Sequence, residues 1–331
     1  MTRPDEFSFA RYLAAKESVD DRALHRPTLD RVAADLSEAA ARRDGPIRVL
    51  EVGCGLGSML RRLLDWERLP DRVSYLGVDA DGDLVDAARE RTREWGSTGG
   101  ASSRPLVTSA DGEGRPDDPF VLRPTDGADR IDGARSTEDR SRRVEVSFRA
   151  ADAFDVAASD DRTWDLVIAA AFLDVVDPAR ALARFAPHAS GVYAPITFDG
   201  VTAFTGGSDP ASDGAVVDAY HATMHGPDRG GPRTGRALFD HVAAAGGRVR
   251  AAGGSDWVVH PPYPDDEAYF VHHVVDTVES AVLTAMEDGT DGESVAVDRE
   301  TVREWADDRH RAVADGSLTY LAHNLDVYAR F

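Results

Sequence analysis

Val49-Leu50-Glu51-Val52-Gly53-Cys54-Gly55-Leu56-Gly57-Ser58-Met59 is the stretch on which the fold of this chain turns. An apolar run carrying the acid Glu51 meets a Gly-x-Gly-x-Gly turn, and Met59, Leu60, Leu63 and Leu64 then follow at helical spacing. The pattern predicts strand, tight turn and helix. Such a turn lets backbone come very close to a nucleoside-bearing ligand at the carboxyl end of a parallel strand. Asp79 closes a second predicted strand, Val73-Ser-Tyr-Leu-Gly-Val-Asp79, twenty-two residues past Gly57. An acid there can accept hydrogen bonds from both ribose hydroxyls.

The nicotinamide and flavin fingerprint is Gly-x-Gly-x-x-Gly. Here the third glycine comes one residue early, at Gly57, and Ser58 takes the expected place. Glu51-x-Gly53-x-Gly55-x-Gly57 instead resembles motif I of class I S-adenosylmethionine-dependent methyltransferases. With the Asp79 strand, two further elements resemble the family in the same order. Val144–Phe148 reads as a third strand leading to Asp152, where the family carries an acid for the adenine amino group. The next backbone N–H, that of Ala153, would meet a ring nitrogen. Trp164–Ala171 resembles the family's fourth strand, and it reads equally as a strand buried on both faces.

The resemblance spans roughly residues 46–260 and implies a Rossmann-like α/β fold. The expected sheet has seven mostly parallel strands with helices on both faces. A helical N-terminal lid (1–44) precedes a methyltransferase domain (45–331), and a helical cap insertion (264–317) precedes an antiparallel last strand. S-adenosylmethionine is the implied cofactor. Its implied contacts are Glu51, Gly53, Cys54, Gly55, Gly57, Asp79, Ala80, Asp152, Ala153, Ala170 and Phe172, with no metal.

Composition bounds the rest. The chain has 331 residues and a net charge of −21, and Lys16 is its one lysine. Acid-rich, lysine-poor sequences resemble proteins of organisms that keep molar salt in their cytoplasm. An acidic balance disfavours nucleic acid as a partner, but in such an organism every protein is acidic, so the argument carries less weight. Cys54 is the single cysteine, so no disulfide forms within the chain, which suits a reducing, cytoplasmic setting. No apolar run reaches 18 residues, so no membrane span is expected.

Residues 5–43 are predicted helical, with a break near Pro27. Residues 96–143 mix Gly, Ser, Asp, Arg and Pro with few apolar positions, which predicts a flexible insertion. A fifth strand fits 191–196, a helix 234–245, a sixth strand 248–260, two helices 265–287 and 298–315, and a last strand from Leu318. Oligomeric state is not legible.

Ligands of open α/β sheets bind outside the carboxyl ends of the strands. That rule makes His260 and Tyr263, at the end of the predicted sixth strand, the leading catalytic pair, with Asp174 as a third candidate. Each has a structural alternative: Pro261-Pro262 ends the strand with Tyr263 packed under the cap, and Asp174 caps a helix. His221 and His225 have helical spacing but no third ligand. Arg233-Thr234-Gly235-Arg236 could meet an anion, or Thr234 could cap the helix. Tyr12, Lys16, Phe172 and Phe198 are expected near the acceptor. Methyl transfer is an in-line displacement that needs alignment above all, so no catalytic residue need stand out. The expected activity is methyl transfer to a small-molecule acceptor. The competing expectations are a nicotinamide oxidoreductase, a nucleic-acid methyltransferase and a non-catalytic binding protein.

Overall fold

Apolar runs bounded by glycine and aspartate become the strands of one ten-stranded sheet in the computed structural model. It describes residues 2–98, 106–109, 119–124, 143–159, 163–207, 210–226, 228–288 and 297–331. The strands are β1 (Ile47–Val52), β2 (Arg72–Asp79), β3 (Leu106–Ser109), β4 (Phe120–Pro124), β5 (Arg143–Ala150), β6 (Leu166–Ile168), β7 (Gly191–Thr205), β8 (Arg248–Gly254), β9 (Trp257–Val259) and β10 (Thr319–Arg330). Their order is β3-β4-β5-β2-β1-β6-β7-β10-β8, with β9 also paired to β10.

β5, β2, β1, β6 and β7 pair in parallel. β10 runs antiparallel between β7 and β8, beside the fifth family strand as expected. The helices are α1 (Phe9–Ala15), α2 (Glu17–Ala23), α3 (Arg26–Ala41), α4 (Ser58–Asp65), α5 (Gly82–Thr98), α6 (Ala153–Ser159), α7 (Pro178–Phe185), α8 (Pro210–Thr223), α9 (Thr234–Ala244), α10 (Glu267–Asp288) and α11 (Arg299–Ala314).

Both faces of the sheet are covered, which is why the parallel strands read as near-continuous apolar runs. One face packs Leu29, Val32 and Leu36 of α3 with Leu60 and Leu63 of α4 and Val85 of α5. The other packs Val156 of α6, Leu182 and Phe185 of α7, and Leu238 and Val242 of α9. α3 is therefore a wall of the main core, not part of a lid, and only α1 and α2 lie over the strand ends.

Seven strands were expected and ten are present among the described residues, for two reasons. First, the predicted flexible insertion contributes β3 and β4. β4 adds to β5 antiparallel, and Phe120, Val121 and Leu122 are buried. Three consecutive apolar residues laid on an existing strand edge gain hydrogen bonds and burial together, which offsets their ordering entropy. Residues 99–105, 110–118 and 125–142 lie outside the described residues. Second, the predicted sixth strand breaks at Ser255-Asp256 into β8 and β9.

β7 and β10 are long and continue past the carboxyl edge of the parallel strands. A register shift at Asp199-Gly200 bends the pair, and pairing then resumes from Val201↔His323 to Thr205↔Thr319. This upper ribbon, with β9, is the floor of a second core. Val216 of α8, Phe270 and Val275 of α10, and Val302 and Trp305 of α11 pack there with Ala15 and Val19 of the N-terminal helices. The cap is thus built from α8, α10 and α11 rather than from residues 264–317 alone.

Candidate active site

β1 ends at Val52 and the chain turns through Gly53, Gly55 and Gly57, all at positive φ (65°, 48° and 70°). A side chain at any of the three is strained on the backbone alone. Space excludes it as well. A Cβ at Gly53 would lie 2.8 Å from the Phe172 ring, at Gly55 3.2 Å from Leu13, and at Gly57 3.1 Å from the Phe148 ring. The turn is therefore a bare-backbone cradle, roofed by Leu13 of α1 and flanked by Phe172 from the segment after β6. Burial pushes the Cys54 thiol up, so the cysteine packs as a neutral small residue and is not a nucleophile.

Asp79 closes β2 beside this turn. Its Oδ2 accepts the Gly55 N–H at 2.9 Å and its Oδ1 accepts the Asp81 N–H at 3.1 Å. The carboxylate thus locks the glycine turn to the end of the next strand, with Ala80 exposed alongside. Asp152 is exposed, and its Oδ1 accepts the N–H groups of Phe154 (2.7 Å) and Asp155 (3.2 Å), capping α6. Ala153 opens that helix. Ala170 and Phe172 flank Ala171, which sits at φ 46° and donates its N–H to the Pro195 carbonyl at 3.0 Å. The ring of Phe154 meets that of Phe172 at 6.4 Å. The implied cofactor-side residues thus converge on adjoining strand ends.

Glu51 differs from the rest. It is only 2% exposed and accepts the Tyr75 hydroxyl at 2.5 Å. Burial pushes its carboxyl from 4.5 up to about 7, against the opposing pull of the Tyr75 hydrogen bond. Its partner Tyr75 comes from β2, and their pairing was not legible beforehand. A raised folded-state pKa means that the stabilisation belongs to the protonated form. It is complete below the unfolded value near 4.5 and is lost as pH rises through about 7. Glu51→Gln is therefore expected to flatten the decline in stability between those two pH values. The difference reaches at most ~3 kcal/mol and is read from urea midpoints across that range.

The N-terminal helices are fastened over the turn by ions. Arg61 of α4 pairs Glu17 at 2.8 Å and donates to the Leu56 carbonyl at 2.7 Å. Arg62 meets Asp21, Asp20 and the Glu17 carbonyl, and Arg91 of α5 adds a bond to Glu17 at 3.1 Å. Lys16 pairs Asp20 at 3.4 Å and lies 5.1 Å from the Trp257 ring centroid. Trp257 Nε1 in turn donates to Asp20 at 3.0 Å.

The candidates on the acceptor side separate. Val259 pairs with Tyr320, four residues and about 14 Å along β10 from Asn324, the partner of Phe198. His260 follows Val259, is exposed, and has its Nδ1 2.8 Å from the Pro261 carbonyl oxygen. The Tyr263 hydroxyl donates to the Leu318 carbonyl at 2.6 Å. The strand break at Ser255 moves both residues from the sheet edge to the top of the cap. There Tyr263 is tethered to Leu318, the residue before β10.

Arg236 is likewise committed, its Nε lying 2.9 and 3.0 Å from the two Asp199 oxygens, and Thr234 donates to the Gly231 carbonyl. His221 bonds Thr202 at 3.0 Å, while His225 lies beyond the end of α8. Among the described residues, the side chains spaced like metal ligands are Asp276, Glu279 and His310. Arg3 already pairs both of those carboxylates.

Asp174 does stay at the sheet edge, two residues beyond Phe172. It does not cap α7; Asp177 does, accepting from Ala179 and Arg180. The N–H groups of Asp174 and Phe198 face its carboxylate, and burial still raises its pKa. Around it stand Lys16, Tyr12 of α1 and Tyr220 of α8. Tyr220 is the residue sequence reasoning missed; its signal was helical spacing with Val216 and Val217.

No family model matches the chain, and no curated protein matches it. Solved structures that resemble it include a cyclopropane-fatty-acyl-phospholipid synthase-like protein from Lactobacillus casei. It is 15% identical, with a TM-score of 0.42, over 96% of this chain and 99% of that one. A SAM-dependent methyltransferase from Geobacter sulfurreducens in complex with S-adenosylhomocysteine is 13% identical, at 0.39, over 97% and 98%. The cyclopropane synthase MmaA2 from Mycobacterium tuberculosis is 12% identical, at 0.34, over 98% and 100%. Likeness at these scores carries no argument about activity, which rests on the site itself.

Proposed function

We propose that this chain is an S-adenosylmethionine-dependent methyltransferase acting on a small molecule. The observation that carries the reading is the bare-backbone turn Gly53–Gly57 bound through the Gly55 N–H to Asp79, under a roof of Leu13 and Phe172. The cradle suits a nucleoside-bearing ligand because its three glycines, all at positive φ, present bare backbone beside the Asp79 carboxylate. Asp79 would hold the ribose, Asp152 and Ala153 the adenine, and Gly53 and Gly55 the amino-acid end. When bound, S-adenosylmethionine supplies a methyl carbon on a positive sulfur, which leaves with the C–S electron pair as S-adenosylhomocysteine.

The chain's own part is to exclude water and align the acceptor. α1, Phe172 and Phe198 shape the space between turn and cap, and Asp174 stands where a proton on the acceptor would need a base. The roofed site favours a small acceptor over nucleic acid. No described helix is long and apolar enough to cross a membrane, and a cytoplasmic setting fits the lone, buried Cys54. In molar KCl, calorimetry is expected to register S-adenosylmethionine and S-adenosylhomocysteine, with no heat from NADH. Binding of NADH alone would replace this reading with that of an oxidoreductase.

A further inference from the structure

Three polar side-chain groups between the glycine turn and the cap have no hydrogen-bond partner among the described residues. Asp174 Oδ1 is shut off from solvent and unpaired. The hydroxyls of Tyr12 and Tyr220 make no hydrogen bond, although each phenol lies within reach of the Asp174 charge. The three come from different elements: the segment after β6, α1 and α8. Each is positioned by a neighbour that is itself fixed. Asp174 follows Phe172, which packs on Gly53. Tyr12 stacks 4.2 Å from the His273 ring and 5.5 Å from that of Phe270, and precedes Leu13 on Gly55. Tyr220 adjoins His221, whose ring lies 5.5 Å from that of Phe198 and whose Nε2 is bonded to Thr202.

We infer that Asp174, Tyr12 and Tyr220 form a subsite for an amine, bound through its N–H donors. The inference rests on the methyl-transfer reading for its role, making the amine nitrogen the methyl acceptor. The matching of donors to acceptors carries it. A primary ammonium has three N–H donors and no acceptor. The subsite offers one carboxylate oxygen and two phenol oxygens. An alcohol brings a single donor and would leave acceptors unsatisfied, while a carboxylate ligand would face Asp174 with like charge. A buried unpaired acceptor is costly; an amine satisfies Asp174 Oδ1, the one of the three shut off from solvent, and its other N–H groups can reach the phenol oxygens.

Of the cations nearby, Lys16 pulls on the Asp174 charge but forms no ion pair with it among the described residues. Lys16 is committed to Asp20 at 3.4 Å and to the Trp257 face. Arg229 acts on the Tyr220 phenol. The rings of Tyr12, Tyr220 and Phe198 add the apolar, electron-rich walls that an ammonium favours over other polar groups.

Before methylation an ammonium must lose a proton, and Asp174 Oδ1 is placed to take it. The nitrogen lone pair so freed forms the N–C bond as the C–S pair withdraws to sulfur. The proton passes on to solvent, so one proton is released for each ammonium converted to its N-methyl ammonium. Asp174 suits this exchange because burial already raises its carboxyl above the ordinary range.

The test is a binding experiment that needs no turnover. Ethyl, butyl and benzyl amines are titrated by calorimetry into the full chain saturated with S-adenosylhomocysteine in molar KCl, beside the matching alcohols and carboxylic acids. The expected result is at least one amine binding tenfold or more tightly than its alcohol and acid. Asp174→Asn should weaken that amine at least tenfold and leave S-adenosylhomocysteine affinity unchanged. Tyr220→Phe, which removes only a hydroxyl, should weaken it severalfold and guards against a folding defect in the first variant. Equal binding of amine and alcohol, no binding of any amine, or an Asp174→Asn variant that binds amine normally overturns the inference. Amine binding by a protein that ignores S-adenosylhomocysteine leaves the subsite standing and removes the methyl-transfer reading instead.

Discussion

Asp79→Ala is expected to weaken S-adenosylmethionine binding at least a hundredfold. The carboxylate ties the first strand's turn to the second strand's end through the Gly55 N–H at 2.9 Å, beside the backbone bond from the Cys54 N–H to the Val78 carbonyl at 3.0 Å. A carboxylate oxygen has two lone-pair directions, so both ribose hydroxyls can be accepted while Gly55 and Asp81 stay bound. Each hydrogen bond to a charged group contributes roughly 1.5–3 kcal/mol, and losing two amounts to two orders of magnitude or more in affinity. Asp79→Asn retains the shape and one acceptor oxygen and should fall between. Isothermal titration gives the affinities and urea unfolding the stabilities. An unchanged affinity with a lower urea midpoint would show that Asp79 serves the fold alone.

Arg62→Ala is expected to destabilise the protein by about 3–5 kcal/mol, the scale for breaking a buried ion pair from one side. Its side chain is 8% exposed, and the guanidinium meets Asp20, Asp21 and the Glu17 carbonyl together. Asp20 is itself 5% exposed and, among the described residues, keeps only Lys16 and the Trp257 indole N–H once Arg62 is gone. Lysine should not restore the loss, because a point charge cannot serve three partners spread around a planar fork. Since α2 is held on α4 by this contact, S-adenosylhomocysteine affinity should drop as well. Urea midpoints of the wild-type, alanine and lysine chains, taken in the same molar KCl, give the comparison.

What the sequence disclosed follows from how far each signal reaches along the chain. The parallel strands were visible because burial on both faces makes them apolar runs ending in Gly53, Asp79 or Asp152, and such ends mark ligand sites. The split of the sixth strand was not visible, because Trp257-Val258-Val259 continues the apolar pattern across Ser255-Asp256. That split relocated His260 and Tyr263. β3 and β4 are short and lie in a polar, glycine-rich stretch; their order comes from the neighbouring edge of β5, a tertiary effect with no local signature. The burial of Glu51 depends on Tyr75, twenty-four positions away. Tyr220 depends on α8, whose Ser212-Asp213-Gly214 opening hides a helix. Asp174 was recognised as a candidate from its place after the fourth family strand, yet its unpaired oxygen emerges only when α1 and α8 are brought beside it.

The unbroken run of β7 and β10 through both sheet and cap bears on how ligands come and go. A hinge needs a few residues free to absorb a change in φ and ψ. Here two strands stay hydrogen-bonded to each other on both sides of the bend at Asp199-Gly200, so the cap cannot swing away from the strand ends as a rigid body. The remaining cover is α1 and α2, attached to the main body by side-chain ion pairs and to the cap by Ala15 and Val19. Residence time is then expected to follow how long those two helices stay docked. Dissolved ions that compete for Glu17 and Asp21 shorten it, so ionic strength becomes a control on exchange rate as well as on solubility.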